Sequence, residues 1–316
     1  MTTGIIILNF NNSEDTIQCI RSIEEHNTAP VKYIIVDNGS RKDSVDSLRR
    51  FLEDYFGNQL ELLEEGCTTQ SLTHINFLAS PTNDGYARGN NKGLAYAFAD
   101  PDITDIVILN NDILFESDII PVLMKEREKL ERPAILTPLL RNRNGSVEMP
   151  CARRFPTNWQ TILPFLLFKH DICNIINKSD RKQRYFATNP ELTETDAFPI
   201  GMPSGAFMFV DKQLFQSING FDNGTFLYYE ENILCRRLQG LGYKNYCIPK
   251  VYARHIGGAS TSKISNLFLQ KCNLESADYY LKNYAQLNII QKLIWGIVRF
   301  LWILKFKLKA NGEKTA

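Results

Sequence analysis

The chain has 316 residues, 44% hydrophobic, 22% charged and 11% aromatic, which excludes a disordered or collagen-like protein and leaves room for one large α/β domain or two smaller ones. Thirty-six Lys and Arg against 35 Asp and Glu leave a net charge of +1, so there is no global basic field for gripping nucleic acid. Seven scattered cysteines without a C-x-x-C pair read as reduced thiols of a cytosolic compartment, not as a disulfide frame or a zinc site.

The opening residues, MTTGIIILNFNNSED, lack a basic n-region and turn polar after a short apolar run. They read as a first strand over residues 4–8 rather than as a signal peptide. Residues 13–25 follow with Ile17, Ile20 and Ile23 spaced for one helix face. A second buried strand over residues 31–36 ends at the turn cluster Asp37-Asn38-Gly39-Ser40. Residues 75–78 make a third, and a Pro-Thr-Asn-Asp-Gly loop leads from it into a helix through Asn91, Leu94, Ala95 and Phe98. The fourth strand, residues 106–109, stops at Asn110-Asn111-Asp112. Strands alternating with helices predict βαβ units and a mostly parallel sheet. Ligands of such sheets bind beyond the carboxyl ends of the strands, where Asp37 and Asp112 stand.

Residues 151–199 loosen into an insertion or lid that holds Arg153-Arg154, Trp159, an apolar stretch at 162–168 and a basic cluster at 178–184. Regular structure resumes with a strand over 205–210, a helix over 229–241 closed by Gly242, and a short strand over 243–248. Residues 289–309 are apolar but interrupted by Lys292, Arg299, Lys305, Lys307 and Lys309. That is too much charge for a membrane-spanning helix of ~20 apolar residues. From Lys292 onward six basic residues face one acid, Glu313. The tail therefore predicts an amphipathic helix lying on an anionic membrane surface, with Trp295 and Trp302 as its interfacial residues. The competing expectation is a terminal helix packed on the core or on a second subunit.

No phosphate-loop motif, no G-x-G-x-x-G after the first strand, no H-E-x-x-H and no G-x-S-x-G occurs. The candidates are carboxylates and one histidine. Asp112, with the amides of Asn110 and Asn111, suits a hard divalent cation that keeps waters and shares a ligand's diphosphate; it suits a turn equally well. Asp37 could accept from a base N–H or a ribose hydroxyl, or form a turn. Glu230-Glu231 could supply a general base beside Tyr228 and Tyr229, or simply complement the helix dipole. His255 precedes Gly257-Gly258, glycines that let backbone approach a ligand closely, though an isolated histidine is commonly structural.

Taken in order, IIILNFNN, VDNGS, NDGYARGNNKG at 83–93, ILNND at 108–112, the stretch at 205–243 and HIGGAST at 255–261 resemble the glycosyltransferases of family 2, in their rhamnosyltransferase-like branch. The resemblance covers roughly residues 4–261. It implies a GT-A fold over 1–261, a Rossmann-like, mostly parallel sheet flanked by helices, followed by a helical, basic-amphipathic tail over 262–316. The activity it implies is inverting, metal-dependent transfer from a UDP- or dTDP-sugar to a hydroxyl of a glycan. The expected acceptor is a lipid-linked surface polysaccharide at the cytoplasmic face of the membrane.

By the same resemblance Asn9 and Asp37 border the nucleotide base, and Asn83, Gly85 and Asn91 border the nucleotide. Asp112 and His255 hold a magnesium or manganese ion over the diphosphate. Asn110, Ser204 and Gly205 line the donor side, and Glu231, paired with Glu230, is the catalytic base. Arg153, Arg154, Tyr228 and Tyr229 face the acceptor. Two departures stand out: Asn110 where the family has Asp, and Ile233 where it often has an acid. They keep open a catalytically idle member that binds glycan or organises other transferases. A nucleotidyltransferase would carry a Gly-rich basic loop where this chain has Asn9-Phe10-Asn11-Asn12.

Overall fold

Ile5 and Ile7 face one side of the first strand and Ile6 the other, and all three are completely buried, so this strand needs cover on both faces. The cover comes from helices. The computed structural model describes residues 1–66, 71–167, 197–257 and 266–312. Its first half comprises β1 (Thr2–Asn9), α1 (Ser13–His26), β2 (Val31–Asn38), α2 (Lys42–Phe56), β3 (Leu60–Leu63), β4 (Ile75–Ser80), α3 (Gly85–Ala99) and β5 (Ile103–Asn110). Then come β6 (Ile113–Phe115), α4 (Ile119–Arg127), β7 (Pro133–Arg141), β8 (Ala152–Arg153), α5 (Asn158–Leu166), β9 (Phe198–Ile200), β10 (Met202–Pro203) and β11 (Phe207–Asp211). The chain closes with α6 (Lys212–Ser217), α7 (Glu230–Gly240), β12 (Lys244–His255), α8 (Asn266–Asn283) and α9 (Ile289–Gly312).

Among the described residues the main sheet runs β3-β4-β2-β1-β5-β11-β7-β12-β6, with β9 added along β12. β1 pairs in parallel with β2 and β5, and β4 with β2 and β3, as the βαβ pattern predicts. β11 runs antiparallel between β5 and β7. One face is covered by α1 and α2 through Ile20, Ile23, Leu48 and Leu52. The other is covered by α3, α6 and α7 through Leu94, Phe215, Leu234 and Leu238. α3 lies close enough that a Cβ at Gly93 would stand 2.8 Å from an Ile6 methyl. This glycine is what brings the helix down onto the sheet.

Three expectations need correction. The strand expected at 243–248 continues to His255, passing Pro249 through a register shift between Ile248 and Tyr252. Pro cannot donate to the ladder, so the strand bulges there instead of stopping. Second, the described part of the 151–199 segment is not loose. A capping box of Thr157 and Gln160 starts α5, and β8 pairs with β10. Its basic cluster at 178–184 lies outside the described residues.

Third, the tail tryptophans face inward. Trp295 and Trp302 are 3% and 1% exposed and pack edge-on against Phe165, at 5.3 and 6.0 Å between ring centres. Trp302 Nε1 donates to the Phe165 carbonyl at 2.8 Å, and Trp295 Nε1 to Asp278 at 2.9 Å. An indole combines large apolar area with one donor, and this interface satisfies both needs. α8 and α9 thus form a third core with α5 and Ile233 of α7. No helix among the described residues is long and apolar enough to cross a membrane.

Candidate active site

The site is assembled where β1, β2 and β5 end. Asp37, wholly buried at the end of β2, accepts the Asn9 amide at 2.6 Å and the Ser40 backbone N–H at 2.9 Å. Asn9 Oδ1 in turn accepts Thr16 Oγ1 at 2.9 Å and the Asn111 amide at 3.3 Å. The two strand ends are therefore tied through buried amides, and Asp37 is oriented before any ligand arrives. Asn38, next to it, reaches the β4–α3 turn. Its amide donates to Asn83 Oδ1 and to the Gly85 carbonyl, each at 3.0 Å, and Gly85 N–H closes back onto Asn83 Oδ1 at 2.9 Å. Gly85 has φ +83°, and a Cβ on it would fall 2.1 Å from the Phe226 carbonyl oxygen. Only glycine fits there.

From this turn a line of contacts leads to the acids of α7. Tyr86 donates its hydroxyl to the Gly205 carbonyl at 2.6 Å, and Gly205 N–H donates to Glu231 Oε1 at 2.9 Å. Arg153 stands 3.6 Å from the same carboxylate oxygen and donates to the Pro203 carbonyl at 2.6 Å. The Asn110 N–H meets the Ala206 carbonyl at 2.9 Å, which joins the end of β5 to this loop. Ser204 Oγ accepts the Ala206 N–H at 3.3 Å and so braces the turn. Glu231 opens onto a cavity of about 330 Å³ whose walls include Arg153, Arg154, Tyr228, Tyr229 and Asn273. Tyr228 and Tyr229 both hold left-handed backbone, φ +77° and +69°, immediately before α7. Such strain on two bulky residues is sustained only by surrounding contacts, here the stacking of Tyr229 on Tyr280 at 5.5 Å.

Glu230 does not share this role. It is 5% exposed, does not line the cavity, and its Oε1 finds no donor among the described residues. Burial, with the neighbouring Glu231 charge, pushes its carboxyl up to about 8, so it is mostly neutral at pH 7. Of the expected pair, Glu231 lines the cavity and Glu230 is a buried acid. Asn91 is likewise committed elsewhere. Its amide donates to the Phe221 carbonyl at 2.8 Å and its oxygen accepts the Phe221 N–H at 2.9 Å, so it staples the 221–223 loop to α3. Ile233, where an acid is common in the resembled family, is fully buried in the core that the tail completes.

His255 stands beside Asp112, with Nε2 3.3 Å from Asp112 Oδ1, an oxygen otherwise without a hydrogen-bond donor among the described residues. Its Nδ1 lies 2.8 Å from Glu148 Oε2. Burial alone would lower the imidazole; the flanking Asp112 and Glu148 outweigh it and hold His255 up to about 10. Glu148 is a site residue the sequence did not announce. Its carboxylate on one nitrogen, with the other turned to Asp112, is the arrangement that orients a metal-binding histidine. Among the described residues no three His, Cys, Asp or Glu side chains form a metal cage. The set fits a cation that takes Asp112 and His255 from the protein and its remaining ligands from a diphosphate and water.

The family model described as Glycosyl transferase family 2 matches residues 4–216. The chain is 23% identical over 242 residues to the N-acetylglucosaminyl-diphospho-decaprenol L-rhamnosyltransferase of Mycobacterium tuberculosis, covering 74% of this chain and 69% of that protein. It is 28% identical over 174 residues to Rhamnosyltransferase WbbL of Escherichia coli K12, covering 54% of this chain and 60% of that one. Among solved structures, GalNAc-T7 with UDP, GalNAc and Mn2+ superposes with a TM-score of 0.55 at 12% identity. That match covers 82% of this chain but 44% of GalNAc-T7, and it supports the fold alone.

Proposed function

The chain belongs to glycosyl transferase family 2, in its rhamnosyltransferase-like branch and with a GT-A-like fold, and from that premise we propose an inverting transferase that moves a rhamnosyl or hexosyl group. Its donor is a UDP- or dTDP-sugar, and its acceptor a hydroxyl of a lipid-linked glycan at the cytoplasmic face of the membrane. The observation that carries the reading is Glu231, fixed by the Gly205 N–H at 2.9 Å on the wall of an open cavity lined by arginine and tyrosine. The mycobacterial relative, an N-acetylglucosaminyl-diphospho-decaprenol L-rhamnosyltransferase, supports the lipid-linked acceptor.

In the mechanism, Asp37 and Asn9 take the nucleoside, and the turn at Gly85, closed against the Phe226 carbonyl, borders it. Asp112 and His255 would hold a magnesium or manganese ion, which supplies positive charge to the departing diphosphate. Glu231 accepts the proton of the acceptor hydroxyl while that oxygen bonds to the anomeric carbon and the bond to the diphosphate oxygen breaks. One displacement inverts the anomeric centre and needs no covalent nucleophile. Arg153 stands 3.6 Å from the Glu231 carboxylate and, with Tyr228 and Tyr229, shapes the acceptor side.

The test is transfer from UDP- and dTDP-sugars by the full chain and by Glu231→Gln. The amide keeps the size and loses the base, so turnover falls about 10²–10⁴-fold while nucleotide affinity is retained. Unchanged turnover in Glu231→Gln removes the base from this position and the mechanism with it.

A further inference from the structure

With Trp295 and Trp302 turned inward, α9 leaves a second apolar face outward. Ile289, Leu293, Ile297, Phe300, Leu304 and Leu308 are all exposed, between 43% and 71%. Their spacings of four, four, three, four and four residues put them within an arc of about 100° along about 29 Å of helix. The inward face, Gln291, Trp295, Val298 and Trp302, lies diametrically opposite and is buried. The helix is therefore clamped to the body by one face and presents a straight apolar ridge with the other. Scattered exposed Leu residues need no explanation, but a continuous ridge does.

The charges on α9 select the occupant. The helix carries Lys292, Arg299, Lys305, Lys307 and Lys309 and not one acid. Arg299 is paired with Asp278 of α8 at 3.0 Å, and Lys305 lies 4.2 Å over the Trp302 ring. Lys292, Lys307 and Lys309 are exposed. A second copy docked through the same ridge would bring two acid-free, fivefold cationic helices together. An anionic bilayer meets both features at once, apolar ridge into the acyl boundary and lysines at the headgroups.

We propose that α9 seats the protein on an anionic lipid surface through the ridge at Leu293, Ile297, Phe300, Leu304 and Leu308, with the tryptophans serving as the anchor to the protein and not to the membrane. The proposal deepens the membrane location given above, and it stands apart from the donor chemistry.

The experiment is co-sedimentation of the full chain with vesicles of phosphatidylcholine alone and of phosphatidylcholine mixed with phosphatidylglycerol. Wild type binds the anionic vesicles, and binding weakens with salt. The double variant Ile297→Glu, Leu304→Glu changes only exposed positions, so it keeps its melting temperature and its nucleotide binding. Its vesicle binding falls about a hundredfold, roughly tenfold for each apolar side chain lost from the ridge. The conservative pair Ile297→Leu, Leu304→Ile keeps binding. Wild type that ignores anionic vesicles overturns the proposal, whatever its turnover. So does a wild-type dimer in solution that the double variant breaks into monomers without any vesicle binding. Vesicle binding in a protein that transfers no sugar would sustain the ridge and sink the transferase reading instead.

Discussion

A methyl group added at Gly205 tests how Glu231 is held. In Gly205→Ala the new Cβ would stand 2.8 Å from Glu231 Oε1 and 3.3 Å from the Tyr86 hydroxyl oxygen. The first contact is closer than carbon and oxygen tolerate, but the crowded atom is the end of a flexible side chain. The fold survives, and the carboxylate swings off the Gly205 N–H. A hydrogen bond to a charged group contributes about 1.5–3 kcal/mol, and water entering the open cavity returns part of it, so the net stability loss is about 1 kcal/mol. That lowers the melting temperature by only a few degrees. Displacing the base by about 1 Å costs about a hundredfold in turnover, or about 2.7 kcal/mol of barrier. The assay is steady-state transfer at saturating donor, read beside thermal melting. kcat falls about a hundredfold, donor KM holds, and the melting temperature barely moves. Turnover within threefold of wild type would refute the idea that this hydrogen bond sets the base.

Glu148→Gln leaves His255 without the carboxylate that orients it, so manganese affinity in the presence of nucleotide diphosphate falls about 10–100-fold, measured by calorimetric titration. Trp302→Ala opens a cavity between α9 and α5 and orphans the Phe165 carbonyl, at about 3–5 kcal/mol of stability by denaturant unfolding. The Glu24–His74 pair gives a pH signature. Its hydrogen bond lowers Glu24 and raises His74, whose Nδ1 also donates to the Val31 carbonyl at 3.1 Å. The raised His74 contributes stability that is complete below its ordinary 6.5 and is lost as pH climbs through its folded value. The lowered Glu24 contributes above 4.5 and loses it on acidification. The stability gap between wild type and Glu24→Gln is therefore widest at about pH 5.5 and shrinks toward about pH 9, as denaturant melts at the two values measure.

Four of the parallel strands, β1, β2, β4 and β5, were legible because they carry apolar runs that stop at turn residues, whereas β3, Leu60–Leu63, went unread because it is short and interrupted by Glu61. Asp37 and Asp112 stood out for the same local reason. α2 was not among the expected elements, although Val45, Leu48 and Leu52 carry a helical apolar pattern on its inward face. Glu148 could not be read that way. It lies 107 residues from His255, in a loop with no motif, and only the pairing of β7 with β12 brings the two together. Glu230 and Glu231 differ by about 100° of helix, and nothing local says which acid turns toward the cavity. The inward turn of the tail tryptophans was hidden for a related reason. Apolar residues lie all around α9, so composition cannot choose the buried face. Phe165, more than a hundred residues away, makes the choice by receiving both indoles.

The central claim, that the strand-end carboxylates hold a nucleotide-diphosphate sugar through a divalent cation, is tested most directly by a binding panel. UDP-, dTDP- and GDP-sugars are titrated with and without manganese or magnesium against wild type and Asp112→Asn. The account predicts that one nucleotide class binds, that a metal is needed, and that Asp112→Asn loses the metal-dependent part. Binding of no sugar nucleotide with either metal, or equal binding by wild type and Asp112→Asn, would contradict it and return the chain to the reading of an idle family member.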